Sequence, residues 1–348
     1  MTQHETLPAP ANPQPDVESV LQSIADGFAS TLRSPLLHTP TEADLAFESV
    51  TFPSADGVPL EGWFIPSEGS DKIVVANHPR WFNRSGLPSH LEPWRNLGAA
   101  TGNDFEVNFV PDYKILHDAG YNVLAYDLRN MGQSGAANGG VFTVGRFESR
   151  DVIGSLDYVR GRPDTRDMSI GLFSRCVGAN ATMFAMASRP EAFDDVRCMV
   201  APQPLSPGSS LTQALQRLGI PASRLADLDE LIRLRTSFRL NDLSPVPWAT
   251  AVRIPTFLYQ VRDDLYTTPA DVQAMYDNIP VEEKELLWVE GTSRRWDGYT
   301  YFQREPARML AWFERFMGHT TSPGYRSLPI DSTDRVESEL HVGPPSDG

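Results

Sequence analysis

The chain has two cysteines in 348 residues, Cys176 and Cys198. That scarcity excludes a disulfide framework, and no Cys/His cluster has zinc spacing, so no metal is expected. No apolar run is long enough to span a bilayer. The N-terminus, Met1 to Glu18, lacks a basic segment followed by an apolar one, which excludes a secretory signal and makes the cytoplasm the expected compartment. Basic residues are also in deficit: 30 Lys and Arg against 45 Asp and Glu give a net charge of −15 and a pI near 4.9. Such a surface repels phosphate backbones and excludes nucleic acid as a partner. What remains is a protein with 41% hydrophobic and 22% charged residues, the composition of a soluble globular fold. The expected partner is a small-molecule substrate, with neither membrane nor nucleic acid involved; a homodimer is compatible with this composition.

The termini are poor in large apolar residues and rich in proline, so residues 1–18 and 320–348 are expected to be disordered. Between them, 19–319 reads as one domain. Ser49–Phe52 and Leu60–Ile65 flank the turn signal Asp56-Gly57 and read as a hairpin. Short, largely apolar runs follow at Lys72–Asn77, Tyr121–Tyr126, Met168–Phe173, Val196–Val200, Thr256–Val261 and Leu286–Val289. Continuous apolar strands imply burial on both faces, as in a parallel sheet. Helical periodicity between them (Val152, Leu156, Val159; Val272, Met275, Tyr276, Ile279) predicts a doubly wound α/β architecture. Two stretches break the alternation: 79–108, rich in Trp and Gly, reads as a pocket insertion, and 204–250 as a small helical cap.

The chemistry concentrates at Ser174-Arg175-Cys176-Val177-Gly178, where the strand ending at Phe173 runs directly into a helix. Small residues two before and two after Cys176 allow a sharp turn that lifts its side chain above the sheet at a helix N-terminus. The partial positive charge there favours an anion, such as a thiolate. The Val177 N–H would face a developing oxyanion. Cys198, inside an apolar strand, reads as plain core, as free cysteines often are.

This pattern resembles the α/β-hydrolase superfamily, over roughly residues 45–318. Its Gly-x-Ser-x-Gly turn has Ser174 in place of the first Gly and Cys176 in place of the Ser. A cysteine there is similar to dienelactone hydrolases and some thioesterases. Asn77-His78-Pro79-Arg80 stands where the family has His-Gly, which implies Arg80 as the second oxyanion-hole N–H. Asp127-Leu128-Arg129-Asn130-Met131-Gly132-Gln133-Ser134 resembles the family's Asp-x-Arg-Gly-x-Gly-x-Ser loop. Val261-Arg262-Asp263-Asp264 resembles the strand end carrying the triad acid, which implies Asp264.

One element of the resemblance is missing. After the last strand the chain reads Glu290-Gly291-Thr292-Ser293-Arg294-Arg295-Trp296-Asp297-Gly298-Tyr299, with no histidine. Arg294 stands closest to the usual His position, give or take two residues, and arginine cannot act as a general base. Of the seven histidines, His78 is the candidate for a displaced base, with His90 as the other; a structural role is the alternative for His78. Trp81, Arg175, Arg295 and Trp296 are expected to line the substrate pocket, an aromatic and partly cationic one suited to a planar or carboxylate-bearing compound. Three readings follow. The chain is a hydrolase or acyl-transfer enzyme acting on an ester, thioester or lactone through Cys176, without a cofactor; or it runs lyase or cyclase chemistry; or it is an inactive ligand-binding relative.

Overall fold

The computed structural model describes residues 16–318. The tail expected at 320–348 and most of that expected at 1–18 lie outside them. Val17 and Glu18 do not belong to a tail: they open helix α1 (Val17–Ala29). Its Leu21, Ala25 and Phe28 recur at helical spacing and are buried, so an apolar stripe rather than composition decides the order of this segment.

Ten strands form: β1 (Glu48–Pro53), β2 (Pro59–Ile65), β3 (Lys72–Asn77), β4 (Gly86–Leu87), β5 (Val107–Asn108), β6 (Asn122–Tyr126), β7 (Ser169–Ser174), β8 (Val196–Pro202), β9 (Thr256–Val261) and β10 (Lys284–Val289). Eight of them make one sheet in the order β1-β2-β6-β3-β7-β8-β9-β10. The β1–β2 hairpin is antiparallel, as is β2 against β6. From β6 to β10 every pairing is parallel. Every residue of β3, β6 and β9 is buried, which is why their sequences carry continuous apolar runs rather than strict alternation.

The other helices are α2 (Val110–Asp118), α3 (Ser149–Gly161), α4 (Val177–Ser188), α5 (Pro207–Arg217), α6 (Leu225–Thr236), α7 (Pro245–Trp248), α8 (Pro269–Asn278), α9 (Arg295–Tyr299), α10 (Tyr301–Arg304) and α11 (Ala307–Met317). Helices α3 and α4 pack together, and α11 packs on β7 and β8. The mostly parallel, helix-flanked sheet read from the sequence is the one present. No helix among the described residues is long and apolar enough to cross a membrane.

The stretch 204–250 is helical, comprising α5, α6 and α7. Helix α1 packs against α6, with exposed pairs Arg235–Asp26 and Arg224–Glu18 at the seam. The stretch 79–108 carries the small β4–β5 ribbon. It is tied to the sheet by Asp127, whose carboxylate accepts from the Arg84 N–H at 2.7 Å, from the Arg84 guanidinium, and from the Gln133 N–H at 2.8 Å. Gly132, at φ +47°, leaves room for that carboxylate; a Cβ there would lie 2.2 Å from it.

Candidate active site

The carboxyl ends of the parallel strands converge on one region, where open α/β sheets bind ligands. Strand β7 delivers Cys176, β3 the segment 78–81, β8 Gln203, β9 Asp264, and β10 the turn leading to α9. Cys176 adopts φ 51°, ψ −110°, a strained backbone for a residue with a Cβ. Surrounding hydrogen bonds impose it: Cys176 N–H to Pro202 O at 2.8 Å, Arg175 N–H to Asn77 O at 2.9 Å, and Asn180 N–H to Cys176 O at 3.0 Å. Ser174 is more than a tolerated substitute. Its hydroxyl accepts from Asn77 Nδ2 at 2.8 Å and bonds Thr182 at 3.0 Å, fastening strand to helix. Gly178 is needed because a Cβ would fall 2.6 Å from that of Asn77.

Of the two arginines expected near the missing histidine, Arg295 and not Arg294 lines the cavity that Cys176 also lines. Arg294 caps the helix in extended conformation (φ −81°, ψ 117°), so consecutive side chains diverge. Arg294 is half exposed and pairs with the buried Asp297 at 2.9 Å, away from the cavity wall. Arg295 is buried and reaches Asp264 through its guanidinium. It also donates to Gln203 O, and its Nε donates to Tyr299 Oη at 2.8 Å. Tyr299 and Cys176 line the same cavity. Asp264 is held by Gln260 Nε2 at 2.7 Å and the Tyr266 N–H at 2.9 Å. Tyr299, Arg295 and Asp264 are thus linked in a chain whose first member shares the cavity wall with Cys176.

Electrostatics fix the protonation states of the two middle groups. Burial opposes the charge of Arg295, but Tyr299, Asp264 and Cys176 outweigh it and raise its pKa well above the usual value. Burial pushes the Tyr299 phenol well above its ordinary range; Cys176 adds to this and Arg295 opposes it. Tyr299 and Gln203 are the site residues that sequence reasoning missed. Tyr299 lay in the inspected stretch but carried no signal separating it from a packing residue. Gln203 sits at φ +61° at the end of β8 and had no motif.

His78 is not the base. Its Nε2 accepts from the Leu128 N–H at 2.9 Å, so Nδ1 carries the hydrogen and donates to Pro79 O at 2.7 Å. Both nitrogens are engaged in joining β3 to the loop after β6. Burial is the main cause that lowers its pKa to about 4; the Pro79 carbonyl works against the shift, and Arg175 and Arg84 work with it. Below about pH 6.5 the unfolded chain takes up a proton that the folded chain refuses until about pH 4. Stability is thus expected to fall through that window by up to about 3 kcal/mol. Urea unfolding at pH 7 and pH 4.5 checks this: wild type loses more than His78→Gln, and equal losses refute the assignment.

Arg175 is also misplaced by the pocket expectation. It is fully buried beneath the turn, paired with Asp112 and stacked on the Phe173 and Phe109 rings, 3.7 and 4.3 Å from their centroids. Cys176, Val177, Arg80, Trp81, Arg295 and Trp296 do meet, on the wall of a cavity of about 380 Å³. Phe28, Phe142, Leu205, Leu211, Tyr266 and Tyr299 complete a largely apolar lining. Among the described residues, neither the Val177 nor the Arg80 backbone N–H has an acceptor. Trp296 is anchored by Ser89 Oγ at 2.7 Å and Asn103 Oδ1 at 2.8 Å, so the first insertion sets the position of α9. The guanidinium of Arg80 donates to the carbonyls of Gly27, Phe28 and Ser30, tying α1 over the cavity. Each guanidinium nitrogen of Arg295 has one partner within the protein: Tyr299 Oη, Asp264 and Gln203 O. Arg80 keeps Nε without a partner.

No family model matches the chain. It is similar to the uncharacterized protein YfhR of Salmonella typhimurium, 28% identical over 149 residues, or 42% of each chain. It is also similar to the uncharacterized protein YqkD of Bacillus subtilis, 25% identical over 177 residues, covering 49% of this chain and 56% of that one. The matched region thus spans about half the length of these curated relatives. Among solved structures, an esterase from Pyrococcus furiosus superposes with a TM-score of 0.62 at 21% identity, covering 84% of this chain and 99% of the other. The α/β hydrolase GrgF from Penicillium gives 0.52 at 16% identity over 78% of this chain and 99% of the other. The acylaminoacyl peptidase of Pyrococcus horikoshii gives 0.55 at 15% identity over 81% and 43%. With the strand order, the strand-to-helix turn and these superpositions together, the chain has the α/β-hydrolase fold.

Proposed function

We propose that the protein is a hydrolase or acyl-transfer enzyme acting on an ester, thioester or lactone through Cys176. The single observation that carries this reading is the strained cysteine on the wall of an apolar cavity at the head of α4. Strain of this kind persists where surrounding structure enforces it, and it presents the sulfur to a ligand. Attack on a carbonyl would place the oxyanion near the Val177 and Arg80 N–H groups, both without other acceptors. Asp264 acts at one remove, by orienting Arg295. The fold shared with an esterase and a peptidase supports acyl chemistry by analogy only.

Labelling tests the reading. Brief exposure to iodoacetamide or an activated ester, followed by peptide mass analysis, is expected to modify Cys176 rapidly and saturably. Cys198 is fully buried, and burial raises its thiol pKa far above the usual range, so it should stay unmodified. Equal, slow labelling of both would favour a ligand-binding role instead. A lyase or cyclase reading draws on the hydroxyl and guanidinium that stand at the sulfur where relatives of this fold class carry an imidazole; turnover without any acyl adduct would favour it.

A further inference from the structure

We propose that Tyr299 is the proton donor to the leaving group at this site, positioned by Arg295, and that the preferred substrates are therefore alkyl oxygen esters and lactones. The proposal rests on the Cys176 acyl-transfer reading and narrows it.

The direction of the hydrogen bonds leads to Tyr299. A guanidinium can only donate. Arg295 Nε therefore donates to Tyr299 Oη at 2.8 Å, which leaves the phenolic hydrogen free for an acceptor in the cavity that Tyr299 shares with Cys176. Arg295 cannot exchange its proton, Asp264 is separated from the sulfur by Arg295, and both nitrogens of His78 are used elsewhere. Tyr299 lines the cavity together with Cys176, and its hydroxyl can give up a proton and take it back.

The steps balance as follows. Cys176, its proton given to solvent, attacks as thiolate, the far more nucleophilic form of a thiol. A C–S bond forms, and the carbonyl electron pair moves to the oxygen facing the Val177 and Arg80 N–H groups. Collapse breaks the C–O bond, and the departing alkoxide takes the Tyr299 proton and leaves as an alcohol. The phenolate faces the Arg295 cation. Water or another acceptor then attacks the thioester and returns a proton to the phenolate, and the Cys176 thiolate departs. The sum is ester plus water giving acid plus alcohol.

Leaving-group selectivity follows from the phenol's surroundings. Buried beside a sulfur, Tyr299 holds its proton more tightly than an ordinary tyrosine, whose pKa is about 10. It will yield it to an alkoxide, a stronger base. A nitrophenolate or a thiolate is a weaker base and departs unprotonated, so esters of those groups gain nothing from Tyr299.

The test compares ethyl butyrate with p-nitrophenyl butyrate, reading the rate of Cys176 acylation by intact mass. Tyr299→Phe is expected to slow acylation by the ethyl ester about 10²–10⁴-fold, the usual worth of a general acid, and that by the nitrophenyl ester by no more than about threefold. Arg295→Gln, which keeps donors but removes the charge, is expected to show the same selective loss. A structural role would slow both esters alike, and equal losses in Tyr299→Phe overturn the proposal while leaving Cys176 as nucleophile. If neither ester acylates wild-type Cys176, the acyl-transfer reading itself fails and this one with it.

Discussion

Cys176→Ala is expected to lower kcat/KM by about 10⁴-fold or more on any ester the protein turns over, because covalent attack has no substitute once the sulfur is gone. Binding should survive. The cavity wall changes by one atom, and the Val177 and Arg80 N–H groups remain. The fold should survive too, since the turn is fixed by backbone hydrogen bonds that alanine retains. Cys198→Ala is the control. That side chain is fully buried in β8, so its loss costs stability on the order of 1 kcal/mol by removing packed atoms, with activity intact. Steady-state kinetics and thermal melts of both variants separate the roles. Cys176→Ala retaining a tenth of the activity would remove the sulfur from the mechanism.

The largest stability effect is expected at Asp127. Asp127→Ala should cost about 3–5 kcal/mol, the usual penalty for removing one partner of a buried ion pair. Its carboxylate is fully buried and serves the Arg84 guanidinium and two backbone N–H groups at once. Without it, Arg84 is a buried charge whose remaining acceptors are neutral: Gln133 Oε1 at 2.7 Å and Glu61 O at 3.3 Å. The same contact holds the 79–108 insertion to the sheet, and that insertion fixes Trp296 and α9. Activity should therefore fall together with stability, even though Asp127 is not among the cavity-lining residues. Equilibrium urea unfolding gives the number. A loss below about 1 kcal/mol would show that the pair contributes little beyond its own desolvation cost.

How much of this was legible beforehand depends on the range of each signal. Strands β3, β6, β7, β8 and β9 show in short apolar runs, because a parallel sheet covered on both faces demands them. The turn at Cys176 shows because its constraint is local: small residues two positions to either side. Asp264 shows by its place just after a strand. Helix α1 was not read from the sequence, and the expected tail cut into it at residue 18, since its stripe at Leu21, Ala25 and Phe28 borders a polar stretch and gains its partner, α6, some 200 residues later in the chain. Arg294 was preferred over Arg295 because alignment to a motif does not say where an extended residue hands over to a helix, and one residue there reverses the side chain's direction. His78 had the right type and neighbourhood for a base, but its two bonds, one to a residue 50 positions away, make it a strut.

Sequence alone determined the layer architecture and the presentation of Cys176, because both follow from periodicity and spacing over a few residues. Tertiary structure decided what faces the sulfur. Gln203 and Asp264 come from two separate strand ends, Arg295 and Tyr299 from one short helix, and a contact such as Gln203 to Arg295 spans 92 positions. No local pattern encodes a hydrogen bond of that reach; it exists only once the parallel sheet has brought its strand ends side by side.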